Sequence, residues 1–114
     1  MSKRNTPLLL INDILESGEK ILRYTSGMTF ETFIINDITI DAVIRNFEII
    51  GEAANRLSDE FKDQNTHIDW HRIRGFRNRI VHDYAGIDFE IVWTIKETFL
   101  PEMLNQIKSI QMFE

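Results

Sequence analysis

Apolar residues return at steps of three and four along most of this chain, and no run of strand length shows clean alternation. Leu8, Ile11, Ile14, Leu15, Ile21 and Leu22 mark a first helix, opened by Thr6 as N-cap and Pro7 at the first helical position. Thr25-Ser26-Gly27 stops it after about Tyr24. A short helix is expected between Phe30 and Asn36. Ile40, Val43, Ile44, Phe47, Ile50, Ala54, Leu57 and Phe61 then share one stripe, which predicts a central helix from about Ile38 to Glu60. Gly51 lies on that stripe. Glycine inside a helix costs roughly 1 kcal/mol against alanine, so its expected use is the close approach of another helix. After a polar loop from Lys62 to Thr66, Asp69 can cap a third helix running from near Trp70 to about Asp83, with Ala85-Gly86 as its stop. Asp88 can cap a fourth, carrying Ile91, Val92, Ile95, Phe99 and, past a kink expected at Pro101, Leu104, Ile107 and Ile110. The pattern predicts an all-α fold: an antiparallel up-and-down bundle of four main helices with one or two short extras.

Composition narrows this picture without changing it. At 114 residues the chain fits one domain, 1–114, which must carry both recognition and chemistry. An apolar fraction of 43% and a charged fraction of 27% are those of a soluble globular protein. The absence of cysteine excludes a disulfide framework and a thiolate metal site. The apolar run from Leu8 to Ile11 is too short for a signal-peptide core or a membrane span, so the expected location is cytoplasmic, with no membrane partner. The net charge of −5 argues against indiscriminate nucleic-acid binding. Its distribution is uneven, however. Arg72, Arg74, Arg77 and Arg79 fall in a stretch from His71 to Val81 that holds no acid. With those four set aside, nine of the 13 bases remain to face all 18 acids. A small cationic site on an acidic body suits local phosphate binding and leaves acidic surface for another partner.

On a helical wheel for the third helix, Ile73, Phe76, Ile80 and Tyr84 define the apolar face, and Arg77 falls on that side. A guanidinium there must reach a carboxylate, sit at a cavity or meet a second chain. Arg74, Asn78 and His82 stand at four-residue steps along the opposite line. Arg77 and His82 are therefore well apart on an ideal helix. Either the reach of the arginine or loosening of the helix before Gly86 would bring them together, and spacing alone leaves both open.

Arg77, four intervening residues, and His82-Asp83-Tyr84 make up an R-x4-H-x-Y motif. The flanking blocks are Gly51-Glu52-Ala53-Ala54-Asn55, Trp70 ahead of Ile73-Arg74-Gly75-Phe76-Arg77-Asn78, Tyr84-Ala85-Gly86-Ile87-Asp88, Trp93 and Leu100-Pro101. Motif and blocks together resemble the HepT-like toxins of the HEPN superfamily along nearly the whole chain. The resemblance implies a toxin ribonuclease of a type VII toxin–antitoxin system that cleaves RNA through the ribose 2′-hydroxyl, needs neither metal nor other cofactor, and leaves a cyclic phosphate. It casts Arg77 and His82 as catalytic residues. Their chemistry fits: an imidazole moves protons near neutral pH, and a guanidinium grips phosphate oxygens in pairs. Asn78 would support them, and Arg74 and Arg79 are further candidates for RNA phosphate contacts. The resemblance also implies a homodimer with a composite active site, and a partner, an MntA-like nucleotidyltransferase antitoxin that attaches AMP to Tyr84 and so switches the activity off.

Other constellations point less clearly to chemistry. His67 and His71 stand four apart, but His67 falls in a predicted loop and no carboxylate follows at ligand spacing, so no metal site is expected. Glu48 and Glu52 share a flank of the central helix, where they either pair with a motif arginine or, the preferred reading, form a solvated face. Trp70 and Trp93 read as core or interface anchors rather than base-stacking platforms. The competing function is a non-catalytic helical subunit that partners a nucleotidyltransferase or holds a nucleotide at the arginine cluster, since the fold by itself does not separate the two.

Overall fold

The computed structural model describes residues 6–82 and 86–110. Its helices are α1 (Pro7–Tyr24), α2 (Phe30–Phe33), α3 (Asp37–Arg56), α4 (Asp59–Asp63), α5 (Trp70–Arg74), α6 (Phe76–Ile80), α7 (Phe89–Thr94) and α8 (Leu100–Lys108). A π-helical turn, Ile95–Phe99, joins the last two. The all-α bundle expected from the periodicity is the one observed. The one addition is a two-residue antiparallel pairing of β1 (Val81–His82) with β2 (Gly86–Ile87), too short to leave an alternating pattern in the sequence. No helix among the described residues is long and apolar enough to cross a membrane.

The element boundaries follow from local chemistry. α1 begins at Pro7 and ends at Tyr24, as expected. α3 stops at Arg56, short of the predicted Glu60, because Leu57 turns extended and the Ser58 hydroxyl accepts from the Phe61 amide, capping α4 instead. The third helix is divided. Gly75 leaves the helical conformation after α5, and α6 runs only to Ile80, after which Val81 is extended. The predicted continuation to Asp83 is thus replaced by β1, and a positive φ at Gly86 lets β2 return along it. The Asp88 amide then donates to the Ile80 carbonyl at 2.8 Å, closing the end of α6. The disturbance expected at Pro101 takes the form of the π turn just before it. Proline has no N–H to give the carbonyl four residues back and its ring crowds that carbonyl, so the preceding turn widens.

The core runs between α1, α3, the α5–α6 pair and the α7–α8 rod. Phe76 sits at its centre, fully buried, with edge-to-face contacts to Phe47 at 5.3 Å and Phe99 at 5.6 Å between ring centroids. Trp70 is anchored by its indole N–H to the Asn65 carbonyl, and Trp93 packs against Phe33, so both tryptophans are structural as read. Lys96 is buried but not stranded: its ammonium lies 4.0 Å from the Trp93 ring centroid and 2.6 Å from Glu97.

Two glycines set how closely the layers approach. A Cβ on Gly51 would lie 3.4 Å from the Arg74 carbonyl oxygen and 3.5 Å from that of Ile73, so the expected close approach at Gly51 is that of α5. Gly18 does the same for α8, where a Cβ would come within 2.6 Å of Leu104. At Gly51 the neighbours are backbone atoms that cannot rotate away. Gly51→Val is therefore expected to cost about 1–3 kcal/mol by overpacking, read as a lower urea midpoint with an unchanged slope.

Candidate active site

The close approach at Gly51 lays the C-terminal end of α5 and the first turn of α6 across the polar flank of α3. On α3, Arg45, Glu48, Glu52 and Asn55 stand at steps of three and four, on the edge of the buried stripe. With Arg74, Arg77 and Asn78 they line an open depression of about 370 Å³ over Gly51. A second, of about 860 Å³, is lined by Arg72, Arg74, Asn78 and Arg79, with Asn55, Asp69 and His71. Asn55, Arg74 and Asn78 belong to both, so the two form one trough.

Arg77 does not occupy the apolar face that the wheel gave it. Ile73, Phe76 and Ile80 are buried as the wheel placed them, but Arg77, at the rim of their sector, has its side chain 56% exposed at the trough, with its Nε 3.5 Å from a Glu48 carboxylate oxygen. Of the three outcomes open to a guanidinium there, the first is realised within the chain: it reaches a carboxylate. The preferred reading of Glu48 as merely solvated is corrected accordingly, whereas Glu52 pairs along its own helix with Arg56 at 3.0 Å. The contact runs through Nε; the two terminal amino groups of Arg77 meet no partner among the described residues, and such a pair forms the fork that grips a phosphate. Because the pair is solvent-exposed, Glu48→Gln should change thermal stability by less than about 1 kcal/mol, as a melting curve would show.

Arg74, Arg77, Asn78 and Arg79 are thus brought to one trough, as the sequence grouping implied. His82 is not part of a helical line with Arg74 and Asn78, because α6 ends at Ile80. It lies in β1, its backbone paired with Gly86, and its side chain lies outside what is described. Tyr84 lies outside the described residues altogether. The motif readings did not single out Arg45, and they included Asn55 only in a flanking block, with no role given to it. Their signal was the polar stripe flanking Gly51, legible in the sequence once Gly51 is known to seat α5. A third depression, between α1 and α8, holds two ion pairs, Lys108 to Glu19 at 2.7 Å and Lys20 to Glu16 at 3.7 Å, while its Arg23 rests over the Tyr24 ring.

A helical bundle with an arginine-lined trough, and a short antiparallel pairing of β1 with β2 after the motif helix, defines an all-α, HEPN-like domain. The family model described as ribonuclease HepT-like matches residues 14–110, and the chain belongs to the HepT-like ribonuclease family. Among its relatives is a protein of Caldanaerobacter subterraneus subsp. tengcongensis named provisionally as an RNase, 32% identical over 105 residues, or 92% of this chain and 94% of the relative. A Methanocaldococcus jannaschii protein, also named provisionally as an RNase, is 34% identical over 96% of this chain and 100% of its own length. A Thermococcus cleftensis protein named provisionally as ribonuclease HepT is 33% identical over 89% of this chain and 92% of its own. No solved structure gives a significant match.

Proposed function

We propose that this chain is the toxin of a type VII toxin–antitoxin pair, a metal-independent endoribonuclease that uses Arg77 and His82. The observation that carries the reading is Arg77 itself: held through Nε by Glu48 at the rim of a cationic trough, five residues before the motif histidine, in a member of a ribonuclease family. In the proposed reaction an imidazole takes the proton of the ribose 2′-hydroxyl. The freed oxygen attacks phosphorus, a P–O2′ bond forms, the P–O5′ bond breaks, and the departing 5′-oxygen receives a proton. The products are a 2′,3′-cyclic phosphate and a 5′-hydroxyl. Arg77 stabilises the charge that grows on the phosphate oxygens, and Asn78 supports it from the next position. A homodimer with a composite cleft would bring two His82 side chains to the two proton transfers.

Cleavage of a defined RNA in EDTA tests this. Cutting should persist with chelator and disappear when the scissile 2′-hydroxyl is missing. Absence of any turnover would favour the non-catalytic binding subunit. For the dimer, sedimentation velocity should show two copies at micromolar concentration, and a cleaving monomer would refute the composite site.

Tyr84 is the proposed switch. AMP on its hydroxyl adds negative charge and bulk two residues from His82, which would repel RNA phosphate from the site. Intact-mass spectrometry after co-expression with an adjacent-gene nucleotidyltransferase should show an AMP adduct that Tyr84→Phe abolishes. A neutralised complex with unmodified Tyr84 would refute this role.

A further inference from the structure

Two isoleucines stand almost wholly in water where α2 turns into α3: Ile35 is 79% exposed and Ile38 84%. Their exposure is built into the fold. A capping box of Thr29 and Thr32 sets α2, Phe33 is fully buried, and the Asn36 side chain accepts from the Thr39 amide at 3.0 Å to start α3. With Ile40 and Val43 in the core, the helical period turns Ile38 outward. A corner fixed at both ends thus presents an apolar pair that adds nothing to the core, and such a pair gains by burial against a partner.

The charges around the pair select the partner. From Tyr24 to Ile44 the chain has no lysine, arginine or histidine, and its three acids there, Glu31, Asp37 and Asp41, are exposed and pair with no described cation. A twofold contact between two copies at this corner would set these carboxylates against their own counterparts, which opposes association. A head-to-tail contact would need the arginine-lined trough and so would cover Arg77. The matching surface is that of a different protein, an apolar pocket ringed by lysines or arginines.

The corner is also tied to the end of the molecule that carries the motif. Phe30 and Phe33 of α2 meet Trp93 at 6.3 and 5.2 Å between ring centroids. Phe89, 36% exposed, stands one turn before Trp93, and α7 begins two residues after β2 ends. A protein seated on the corner therefore lies beside the helix that follows the Tyr84 segment.

We infer that the α2–α3 corner is the docking surface for the nucleotidyltransferase that modifies Tyr84, with Ile35 and Ile38 as its apolar anchors and Glu31, Asp37 and Asp41 as its charged rim. An enzyme that draws AMP from a nucleoside triphosphate holds that triphosphate with cationic groups, so its chemistry supplies the basic surface the corner calls for. The inference rests on the Tyr84 switch proposed above and adds where the partner binds.

The test uses the full wild-type chain, the purified adjacent-gene nucleotidyltransferase, and ATP with Mg²⁺. Biolayer interferometry gives affinity and association rate, and intact-mass spectrometry gives the AMP adduct. Ile35→Ala/Ile38→Ala should bind at least about thirtyfold more weakly and, at subsaturating transferase, gain AMP correspondingly more slowly. Asp37→Asn/Asp41→Asn should associate roughly fivefold more slowly at low salt, with the difference vanishing in about 0.5 M salt. Glu60→Gln/Asp63→Asn removes the same charge on α4, beyond the other end of α3, and should match wild type. Wild-type affinity in the isoleucine variant, or equal slowing in the α4 variant, would overturn the inference. So would a free chain that sediments as a dimer in wild type and as a monomer in the isoleucine variant, since the corner would then be a contact between copies. An adduct that forms regardless of the corner refutes the docking surface and leaves the switch standing. Corner-dependent binding with no adduct refutes the switch alone, and neither binding nor adduct refutes both.

Discussion

Alanine at Arg77 or at His82 should reduce kcat/KM for RNA cleavage by a hundredfold to about ten-thousandfold, with the variants still folded. The two losses have different origins. Without His82 the 2′-hydroxyl has no base to take its proton in the proposed mechanism, so the chemical step fails even at saturating RNA. Without Arg77 the phosphate loses its fork, and both binding and the charged transition state suffer. Arg77→Lys should rescue only part of the loss, because an ammonium keeps the charge but not the paired geometry. Arg77 is exposed and makes one long ion pair among the described residues, so its removal should shift stability by no more than about 0.5 kcal/mol. Single-turnover kinetics beside a melting curve separates catalysis from folding. Normal cleavage by either alanine variant would remove that residue from the site.

The largest effect on stability is expected at Phe76. Its ring is fully buried and meets Phe47 on one side and Phe99 on the other, linking α6 to α3 and to the π turn. Phe76→Ala removes both edge-to-face contacts and leaves a cavity that helices held on three sides cannot collapse to fill. The expected cost is about 3–5 kcal/mol, a large part of the 5–15 kcal/mol that typically keeps a domain folded. For a chain of this length that lowers Tm on the order of 10–20 °C. Arg77 follows Phe76 directly, so the variant should also lose RNA cleavage below its own Tm. A Phe76→Leu variant, which keeps most of the volume, should recover much of both. A Phe76→Ala melting temperature within a few degrees of wild type would show that the trough is not built on this aromatic column.

Much of the fold was legible because its signals are local. Thr6-Pro7 opens α1 where expected, and the Asp69 and Asp88 side chains cap their helices by accepting from Arg72 and Ile91 amides. The buried stripe of α3 follows the predicted one from Ile40 to Ala54, except that Ile44 is only half-buried and Asn46 and Ala53 join it. The errors were local too, but competitive. Ser58 could cap one helix or sit inside another, and Gly75 could be tolerated or break the run. In each case the outcome depends on whether the residues beyond find better burial after a turn, which periodicity does not register.

The candidate site was legible as a set of residue types and not as an arrangement. The motif and the acid-free arginine stretch singled out Arg74, Arg77, Asn78 and Arg79 from the sequence, and the family match agrees with the resemblance they carry. A wheel assumes one unbroken helix, so once α6 ends at Ile80 the predicted phase of His82 no longer holds, and a wheel does not register that Arg77, at the rim of the apolar face, meets Glu48 of another helix. The sequence by itself determined the main helical segments, the caps at Asp69 and Asp88 and the chemical inventory, because each depends on neighbours within a turn or two. Only the tertiary structure decided that Gly51 seats α5 against α3, that Glu48 is the partner of Arg77, and that Arg45 and Asn55 join the motif arginines in one trough. Those relations join residues some twenty to thirty positions apart, and they exist only once two helices have packed.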